Sequence, residues 1–358
     1  MNKYKRFTLI LLFSLIGFVS FHGIIWQFTK MVYPNNYIVG DLARMSYKFD
    51  LITPRENKNT LTKKHIHFND YEGEEVDVIT IGDSFSNGGA GGPNRYYQDY
   101  ISSIYDLRVL NILKFQQSEN YLDTLFILLN SGFLDISKPK YIILESVQRN
   151  TYENIGFNKI NLIDNLKDDN IIFNIKHNKD IYNIKDKYGE KLTFINNLNY
   201  NVLSYNFKFL ITGYGKQKKY YIEKLNKDFF TSTTKDELIF FQDDIKFLDY
   251  ETKENLEVLN EKLNLIAKKL KEKEIKLYYM PVVDKYNLYR DSLLSKDKYP
   301  KSIFFEYIET LQKDYYFINT KKILSEELNN NVKDLYYSDD THWSNKASEA
   351  IISKLNFN

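Results

Sequence analysis

Residues 76–81 form a short apolar and β-branched run that ends in Gly82-Asp83-Ser84. A run of this length, followed at once by a Gly-rich segment, predicts a buried β-strand. Three further apolar runs follow, at residues 107–112, 141–145 and 275–281. If all four pair in one parallel sheet, Ser84 lies at the carboxyl end of its strand. That edge of an open α/β sheet is where ligands bind.

Helical patterns separate these apolar runs, at residues 95–105, 120–130, 255–273, 304–313 and 345–355. The clearest is 255–273, in which Leu256, Leu259, Leu263 and Leu270 recur at helical spacing. A last short strand is expected at 315–318. Strands that alternate with helices predict right-handed βαβ units and an α/β fold with a mostly parallel sheet.

The amino-terminal segment predicts a membrane anchor. Residues 1–6 carry Lys3, Lys5 and Arg6, and residues 7–28 are predominantly apolar. Roughly 20 helical residues cross a hydrocarbon layer of about 30 Å. A basic flank before the span favours a cytoplasmic amino terminus, with the rest of the chain on the outer face of the cytoplasmic membrane. A cleaved signal peptide is the competing interpretation, but residues 19–23 show no convincing small-x-small cleavage site.

The chain divides into three parts. We expect residues 1–29 to form the tail and anchor, residues 30–75 a tether and domain entry, and residues 76–358 the main α/β domain. An Asn- and Tyr-rich, poorly periodic stretch at about 151–245 is interpreted as an insertion in that domain. His65 and His67 alternate with apolar residues, which favours a surface strand over a metal site because no further ligand cluster accompanies them.

Charge and cysteine content exclude several function classes. Lys and Arg number 49 against 47 Asp and Glu, and they are spread along the chain, so nucleic-acid binding is not expected. The chain contains no cysteine, which excludes disulfides, thiolate metal sites and a cysteine nucleophile. We expect no metal site and no cofactor.

A serine nucleophile needs a base within hydrogen-bond reach and an acid that orients the base. The candidate base is His342, in the segment Ser338-Asp339-Asp340-Thr341-His342-Trp343-Ser344 ahead of the last predicted helix. Asp339 and Asp340 precede it by three and two residues. Either carboxylate can fold back towards the histidine ring, although the same residues could instead cap the following helix.

The paired motifs resemble the SGNH (GDSL-like) hydrolase superfamily. Gly82-Asp83-Ser84 matches its first sequence block and Asp339-Asp340-Thr341-His342 its last. Gly-Asp-Ser-Phe-Ser together with Asp-Thr-His-Trp, and the segment 281–289, resemble the alginate and peptidoglycan O-acetyltransferase branch. The resemblance covers separate blocks between residues 76 and 355. It implies a three-layer α/β/α sandwich with a flavodoxin-like sheet, preceded here by one transmembrane helix.

Residue by residue, the resemblance implies that Ser84 is the nucleophile and His342 the base. It favours Asp339 as the acid, with Asp340 as the alternative. The glycine and asparagine that usually complete the family's oxyanion hole are absent after residues 112 and 145. The candidates for oxyanion or substrate contacts are Gln116, Gln148, Arg149, Asn150, Lys285, Tyr286 and Trp343.

The resemblance also implies an activity. We expect an extracytoplasmic serine O-acyltransferase, most simply an O-acetyltransferase, that modifies hydroxyls of a cell-envelope or secreted polysaccharide. A multi-pass membrane acyltransferase would deliver the acyl group. A polysaccharide acetyl esterase would use the same residues. The altered oxyanion residues leave open a third class, a non-catalytic glycan-binding subunit.

Overall fold

A computed structural model of the chain describes residues 2–33, 38–57, 60–156, 168, 170–178, 193–212 and 219–357. Parts of the predicted tether and of the predicted insertion lie outside the described residues. The strands are β1 (Ile66–His67), β2 (Val78–Ile81), β3 (Val109–Ile112), β4 (Tyr141–Val147), β5 (Tyr220–Lys224), β6 (Glu237–Phe241), β7 (Lys276–Val282) and β8 (Tyr316–Phe317).

The α-helices alternate with these strands over most of the chain. They are α1 (Lys3–Val32), α2 (Asp41–Ser46), α3 (Tyr97–Tyr105), α4 (Tyr121–Asn130), α5 (Phe133–Ser137), α6 (Thr151–Ile155), α7 (Ile171–Lys176), α8 (Asn197–Thr212), α9 (Asp243–Lys246), α10 (Lys253–Lys271), α11 (Lys285–Tyr289), α12 (Phe304–Thr310), α13 (Thr320–Asn329) and α14 (Asn345–Ser353). Short 3₁₀ turns include Phe49–Leu51 and Gln148–Asn150.

The predicted parallel sheet is confirmed. Six strands pair in the order β1-β3-β2-β4-β7-β8, and each pairing is parallel. Without the edge strand β1, the order is 2-1-3-4-5, as in flavodoxin-like doubly wound sheets. The chain reverses its direction across the sheet between β2 and β4, so the loops that follow these two strands flank a topological switch point, where such sheets bind ligands.

The sheet is buried because helices cover it. Every residue of β2, β3 and β4 is buried, as parallel sheets require. Helix α14 contacts both α3 and α13, and α3 packs against β3, while α10 packs on β7 and α12. The predicted helices are confirmed within a few residues at each end. Local capping contributes to this agreement, since the Asn120 and Asp123 side chains form a capping box at the start of α4.

Within the predicted tether and domain entry, residues 38–57 pack onto the folded domain and are therefore not a free tether. Leu42 and Leu51 are fully buried against Tyr220 and Ile239 of the β5–β6 hairpin. That antiparallel hairpin belongs to the described part of the predicted insertion. Residues 34–37 and 58–59 of the tether, and residues 157–167, 169, 179–192 and 213–218 of the insertion, lie outside the described residues.

Helix α1 has 30 residues and is apolar enough to cross a membrane, a property that a signal sequence shares. Most of its side chains are exposed, and Ile25 and Thr29 near its carboxyl end are buried. The structure therefore agrees with one amino-terminal apolar helix.

Candidate active site

Ser84 lies in a tight turn directly after β2, and this turn is fastened to β4. The buried Glu145 of β4 accepts hydrogen bonds from the N–H of Asp83 (3.0 Å) and of Ser86 (3.2 Å). The Ser86 hydroxyl donates to the same carboxyl oxygen at 2.7 Å. The Asp83 carboxylate accepts from the N–H of Phe85 (3.1 Å) and of Val147 (2.8 Å). Two acidic side chains thus hold the turn, and the half-buried Ser84 stays accessible at its tip.

Two glycines of this turn are required by close contacts. A Cβ atom at Gly82 would lie 2.3 Å from a carboxyl oxygen of Glu145, and one at Gly89 would lie 2.3 Å from Nε2 of His342. The Gly89 N–H also donates to the Ser84 carbonyl at 2.7 Å, which closes the turn. The Gly-rich segment therefore packs directly on the histidine ring.

Ser84 and His342, 258 residues apart, meet in the structure. Nε2 of His342 lies 2.7 Å from Oγ of Ser84, and Nδ1 lies 2.6 Å from Oδ1 of Asp340. The His342 N–H donates to the same Asp340 oxygen at 3.0 Å. This is the geometry of an Asx turn, in which a carboxylate accepts from the backbone two residues later. The same turn also places Oδ1 of Asp340 beside Nδ1 of the histidine ring.

The prediction that Asp339 is the acid is wrong, because Asp340 is the residue that contacts Nδ1 of His342. Asp339 faces residues 38–57 instead. Its carboxylate accepts from the Gly40 N–H at 2.7 Å and forms a fully buried ion pair with Arg55 at 2.6 Å. Arg55 also lies 3.3 Å from Asp340. Only Asp340, two residues before His342, can close the Asx turn. Asp339, three residues before the histidine, instead attaches the loop to residues 38–57.

The electrostatics favour a charge-assisted contact between Asp340 and His342. Burial alone would lower the pKa of His342, but the charge and hydrogen bond of Asp340 raise it above its ordinary value. Burial would raise the pKa of Asp340, yet the charge of His342, its hydrogen bond and the charge of Arg55 hold this pKa far below the usual range. Asp340 is therefore ionised and stabilises a protonated His342.

A third carboxylate lies beside this pair. Asp41 approaches Nδ1 of His342 to 3.9 Å and accepts the Thr341 N–H at 2.8 Å. Asp41, Asp340 and His342 offer three possible metal-ligand atoms within 4.8 Å of one another. Both ring nitrogens of His342 already lie at hydrogen-bond distance from Asp340 and Ser84. A cation would have to replace one of these contacts, so the arrangement fits proton transfer better than metal binding.

Three predicted substrate contacts are structural side chains. The buried Lys285 donates to three backbone carbonyls of the loop that carries His342. These hydrogen bonds, 2.8–3.0 Å long, hold the loop in place and go to Tyr337, Ser338 and Asp340. Burial lowers the pKa of Lys285 to about 8, although Asp339 and Asp340 act to raise it.

Trp343 and Tyr286 belong to the core. Trp343 is buried, with its ring centroid 5.0 Å from that of Phe85, behind the serine turn. Tyr286 is fully buried against Phe240 and donates to the Pro300 carbonyl. Neither side chain is available to a substrate.

Of the four predicted oxyanion candidates, two have largely buried side chains and two are exposed. Gln148 is buried and donates to Ser302 at 2.9 Å, and Asn150 and Gln116 are exposed. Arg149 is nine-tenths buried between Asp244 (3.3 Å) and Asp284 (2.8 Å). Its charge acts on both Asp83 and His342 and lowers the pKa of the histidine. Arg149 is thus the cation of this set that adjoins the site.

The N–H group of Ser84 itself has no acceptor within the serine turn. The N–H groups of Asp83, Phe85, Ser86 and Asn87 each have an acceptor in the turn or on Glu145. Among the described residues no acceptor is assigned to the N–H of Ser84. This group is therefore able to donate to an oxyanion that forms on a carbonyl bound at Ser84 Oγ.

Several side chains that shape the site could not be found from the sequence. Arg55, Asp41 and Glu145 carry no motif and lie far from the Ser and His segments in the chain. A cavity of about 720 Å³ is lined by Arg55 and Gly92 among others, but neither Ser84 nor His342 lines it. It adjoins the site without containing the reacting groups.

The arrangement of Ser84, His342 and Asp340 can activate a serine hydroxyl by moving its proton to Nε2. A half-buried nucleophile whose own N–H is without an acceptor suits addition to a carbonyl carbon. No protein-family model matches the chain, and neither a curated protein nor a solved structure matches it.

Proposed function

We propose that this protein is a membrane-anchored serine O-acyltransferase, an O-acetyltransferase in its simplest form, that modifies hydroxyls of a cell-envelope or secreted polysaccharide. One observation carries the catalytic part, the continuous hydrogen-bonded line from Ser84 through His342 to Asp340. The strand order and the site at the switch point support an SGNH-type three-layer sandwich. The choice of acyl transfer over hydrolysis rests on the sequence resemblance.

The proposed reaction has two halves. In the first, Ser84 Oγ attacks the acyl carbonyl while His342 Nε2 takes its proton, and the Ser84 N–H and Arg149 stabilise the oxyanion. Collapse of this intermediate expels the donor, which receives the proton from His342, and leaves an acyl-serine. In the second half, His342 takes the proton of a sugar hydroxyl, whose oxygen attacks the acyl-serine. The bond between the acyl carbon and Ser84 Oγ then breaks, the acyl group stays on the sugar, and His342 returns the proton to Ser84 Oγ. Asp340 holds the histidine tautomer throughout.

The anchor supports the location. Helix α1 is long and apolar enough to span a bilayer, and the basic residues before it favour a cytoplasmic amino terminus. The site would then face the periplasm or the cell exterior, where a multi-pass membrane acyltransferase could supply the acyl group. A polysaccharide in that compartment would be the acceptor.

Hydrolysis of a chromogenic acetyl ester by the detergent-solubilised full chain tests the catalytic assignment. We expect measurable turnover in the wild type and its loss in Ser84→Ala, with Ser118→Ala, a buried serine outside the proposed site, as the control. Turnover that persists unchanged in Ser84→Ala would exclude this nucleophile. Labelling of Ser84 by a fluorophosphonate that disappears in His342→Ala would separately exclude a non-catalytic glycan-binding subunit.

An acetyl esterase is the second candidate, because the same three side chains serve either acceptor. Supplying an oligosaccharide together with the ester separates the two activities. Acetylated glycan that forms faster than free acetate supports transfer. Acetate as the sole product, across several acceptor glycans, favours the esterase.

A further inference from the structure

Helix α8, in the described part of the insertion, presents an apolar face that nothing in the described structure covers. Phe207, Leu210 and Ile211 are 62%, 83% and 70% exposed, and Tyr200 is 59% exposed. The spacing of these residues places them on one side of the helix. The opposite side packs inward through Asn199, Val202 and Tyr205, which are buried. A solvent-facing stripe of this kind marks an interaction surface.

The start of α8 lies against the apolar helix α1. The Thr29 hydroxyl of α1 lies 3.4 Å from the carbonyl of Asn199. The ring of Phe194, just before α8, lies 5.3 Å from His22 and 6.1 Å from Trp26, both on α1. Leu210 of the stripe also lines one cavity together with Phe28 and Met31 of α1, so the stripe lies beside the apolar surface of that helix.

These contacts show how deep Phe194 would lie in a membrane that α1 crosses. His22 and Trp26 lie inside the apolar span 7–28, and His22 precedes the end of that span by about 9 Å at a rise of 1.5 Å per residue. A side chain that touches His22 therefore lies at the level of the hydrocarbon layer wherever α1 crosses a membrane. Phe194 meets this condition, and its neighbour Ile195 is 69% exposed. An exposed isoleucine at that depth faces lipid.

We propose that residues 194–195 and the outer face of α8 enter the outer leaflet beside α1, so that the protein contacts the bilayer through two helices. This inference rests on the membrane anchoring in the proposed function. The occupant of the apolar stripe is lipid. Lys30, whose Nζ lies 5.5 Å from the Trp26 ring centroid, and the exposed Lys208 on α8 flank the stripe at the level of the headgroups.

Insertion of α8 into the outer leaflet would hold the Ser84–His342 site close to the membrane surface. Tyr205 and Asn206 of α8 contact Tyr47, with ring centroids 4.4 Å apart and an amide-to-carbonyl hydrogen bond of 3.3 Å. Tyr47 directly follows α2, whose Asp41 binds the backbone of Thr341 beside the catalytic histidine. Two packed layers thus separate the lipid face of α8 from His342. An acyl donor that emerges from a membrane protein needs such a short distance.

The absence of cysteine allows a direct test, because each introduced cysteine is a unique labelling site. Leu210→Cys and Phe207→Cys are spin-labelled in the full chain, reconstituted in vesicles of phosphatidylethanolamine and phosphatidylglycerol with no other protein. Collision of the label with oxygen and with a water-soluble nickel chelate is measured by electron paramagnetic resonance. Leu15→Cys on α1 is the lipid reference, and Lys322→Cys, exposed on α13, is the aqueous reference.

We expect the labels on α8 to favour oxygen over the nickel chelate, as at Leu15 and opposite to Lys322. Labels at Leu210 and Phe207 that behave as at Lys322, while Leu15 reports lipid, would overturn the inference and leave the anchored enzyme intact. A Leu15 label in water would overturn the anchor and this inference together. The labelled variants should retain wild-type ester hydrolysis, since these positions lie outside the site.

Discussion

Asp339 and Asp340 are neighbours with the same side chain, yet the loop gives them different partners. Asp340 closes an Asx turn onto the His342 N–H and thereby reaches Nδ1 of the ring. Asp339 points to the other side, towards Gly40 and Arg55. The two neighbouring aspartates therefore have different roles: Asp340 orients the histidine, and Asp339 attaches the loop to residues 38–57.

The first prediction separates these two carboxylates. Asp340→Asn removes the charge that stabilises the imidazolium and should lower kcat for ester hydrolysis by about 10³- to 10⁴-fold. Asp339→Asn, the matched variant, should remain within about tenfold of wild type because it does not contact the histidine, although its stability should fall with the loss of the Arg55 pair. Steady-state kinetics of both variants provide the measurement. Equal losses in the two would contradict the assignment of Asp340.

The second prediction concerns pH. The base must be neutral to accept a proton, and the pKa of His342 is raised above its ordinary value. Activity should therefore be lost as the pH falls through that raised pKa, and the acidic limb of kcat/KM should lie above the ordinary histidine value of about 6.5. In Asp340→Asn the limb should move to lower pH, because burial then dominates. A limb that stays in place would show that Asp340 does not set this pKa.

The third prediction concerns Gly89. Its φ is not in the left-handed region, so Gly89→Ala should fold with little backbone strain, but the new Cβ would meet Nε2 of His342 at 2.3 Å. Displacement of the ring by about 1 Å should lower kcat by at least about 10²-fold.

Gly132→Ala is its control. Gly132 has φ +70° with no atom within 4 Å of the added Cβ, so this variant should lose about 1 kcal/mol of stability and keep its activity. Thermal unfolding and ester kinetics of both variants distinguish a local steric effect from general destabilisation. An active Gly89→Ala would contradict the packing described for the turn.

At the scale of elements, the segment 38–57 and the histidine loop form one unit. Besides the Gly40 and Arg55 contacts, the Ala43 N–H donates to the Asp339 carbonyl at 3.0 Å, and the hydroxyls of Thr53 and Ser338 lie 2.6 Å apart. The sequence placed this segment outside the domain because it is polar and lacks periodicity. Its backbone instead satisfies polar groups of a buried loop, which apolar patterning does not reveal.

The fourth prediction follows from this unit. A chain that begins at residue 38 keeps every contact of the segment with the histidine loop, and we expect it to hydrolyse the ester at close to the wild-type rate. A chain that begins at residue 60 exposes Asp339 and leaves Asp340 without its guanidinium partner. It should lose most of its activity while retaining the helical circular dichroism of the sheet domain. Similar activity in both chains would show that the segment is a tether after all.

At the scale of the whole molecule, Arg55 joins parts of the chain that are 284 residues apart. Its guanidinium lies over the ring of Tyr337 at 4.1 Å and neutralises two buried carboxylates. Burial opposes its charge, but Asp339 and Asp340 raise its pKa further, so it stays protonated. Arg55 thereby joins the segment 38–57 to the loop that carries His342.

The fifth prediction tests this connection. Arg55→Met leaves Asp339 and Asp340 buried without a cation, which typically costs about 3–5 kcal/mol. We expect a lower thermal unfolding midpoint, and partial recovery in the double variant Arg55→Met/Asp339→Asn, because one uncompensated charge is then removed. Differential scanning fluorimetry in detergent measures both. A double variant no more stable than Arg55→Met would contradict a charge-based role.

Local pattern alone determined much of this protein. The strands and helices of the sheet domain, the apolar helix α1 and the identity of Ser84 and His342 as candidate partners all follow from periodicity, turn residues and spacing, which depend on neighbours in the chain. Tertiary structure decided which aspartate meets the histidine, what holds the serine turn, and where Lys285, Tyr286, Trp343 and residues 38–57 lie. These depend on contacts between distant segments, such as Gly40 with Asp339, 299 residues apart, and such contacts leave no local pattern.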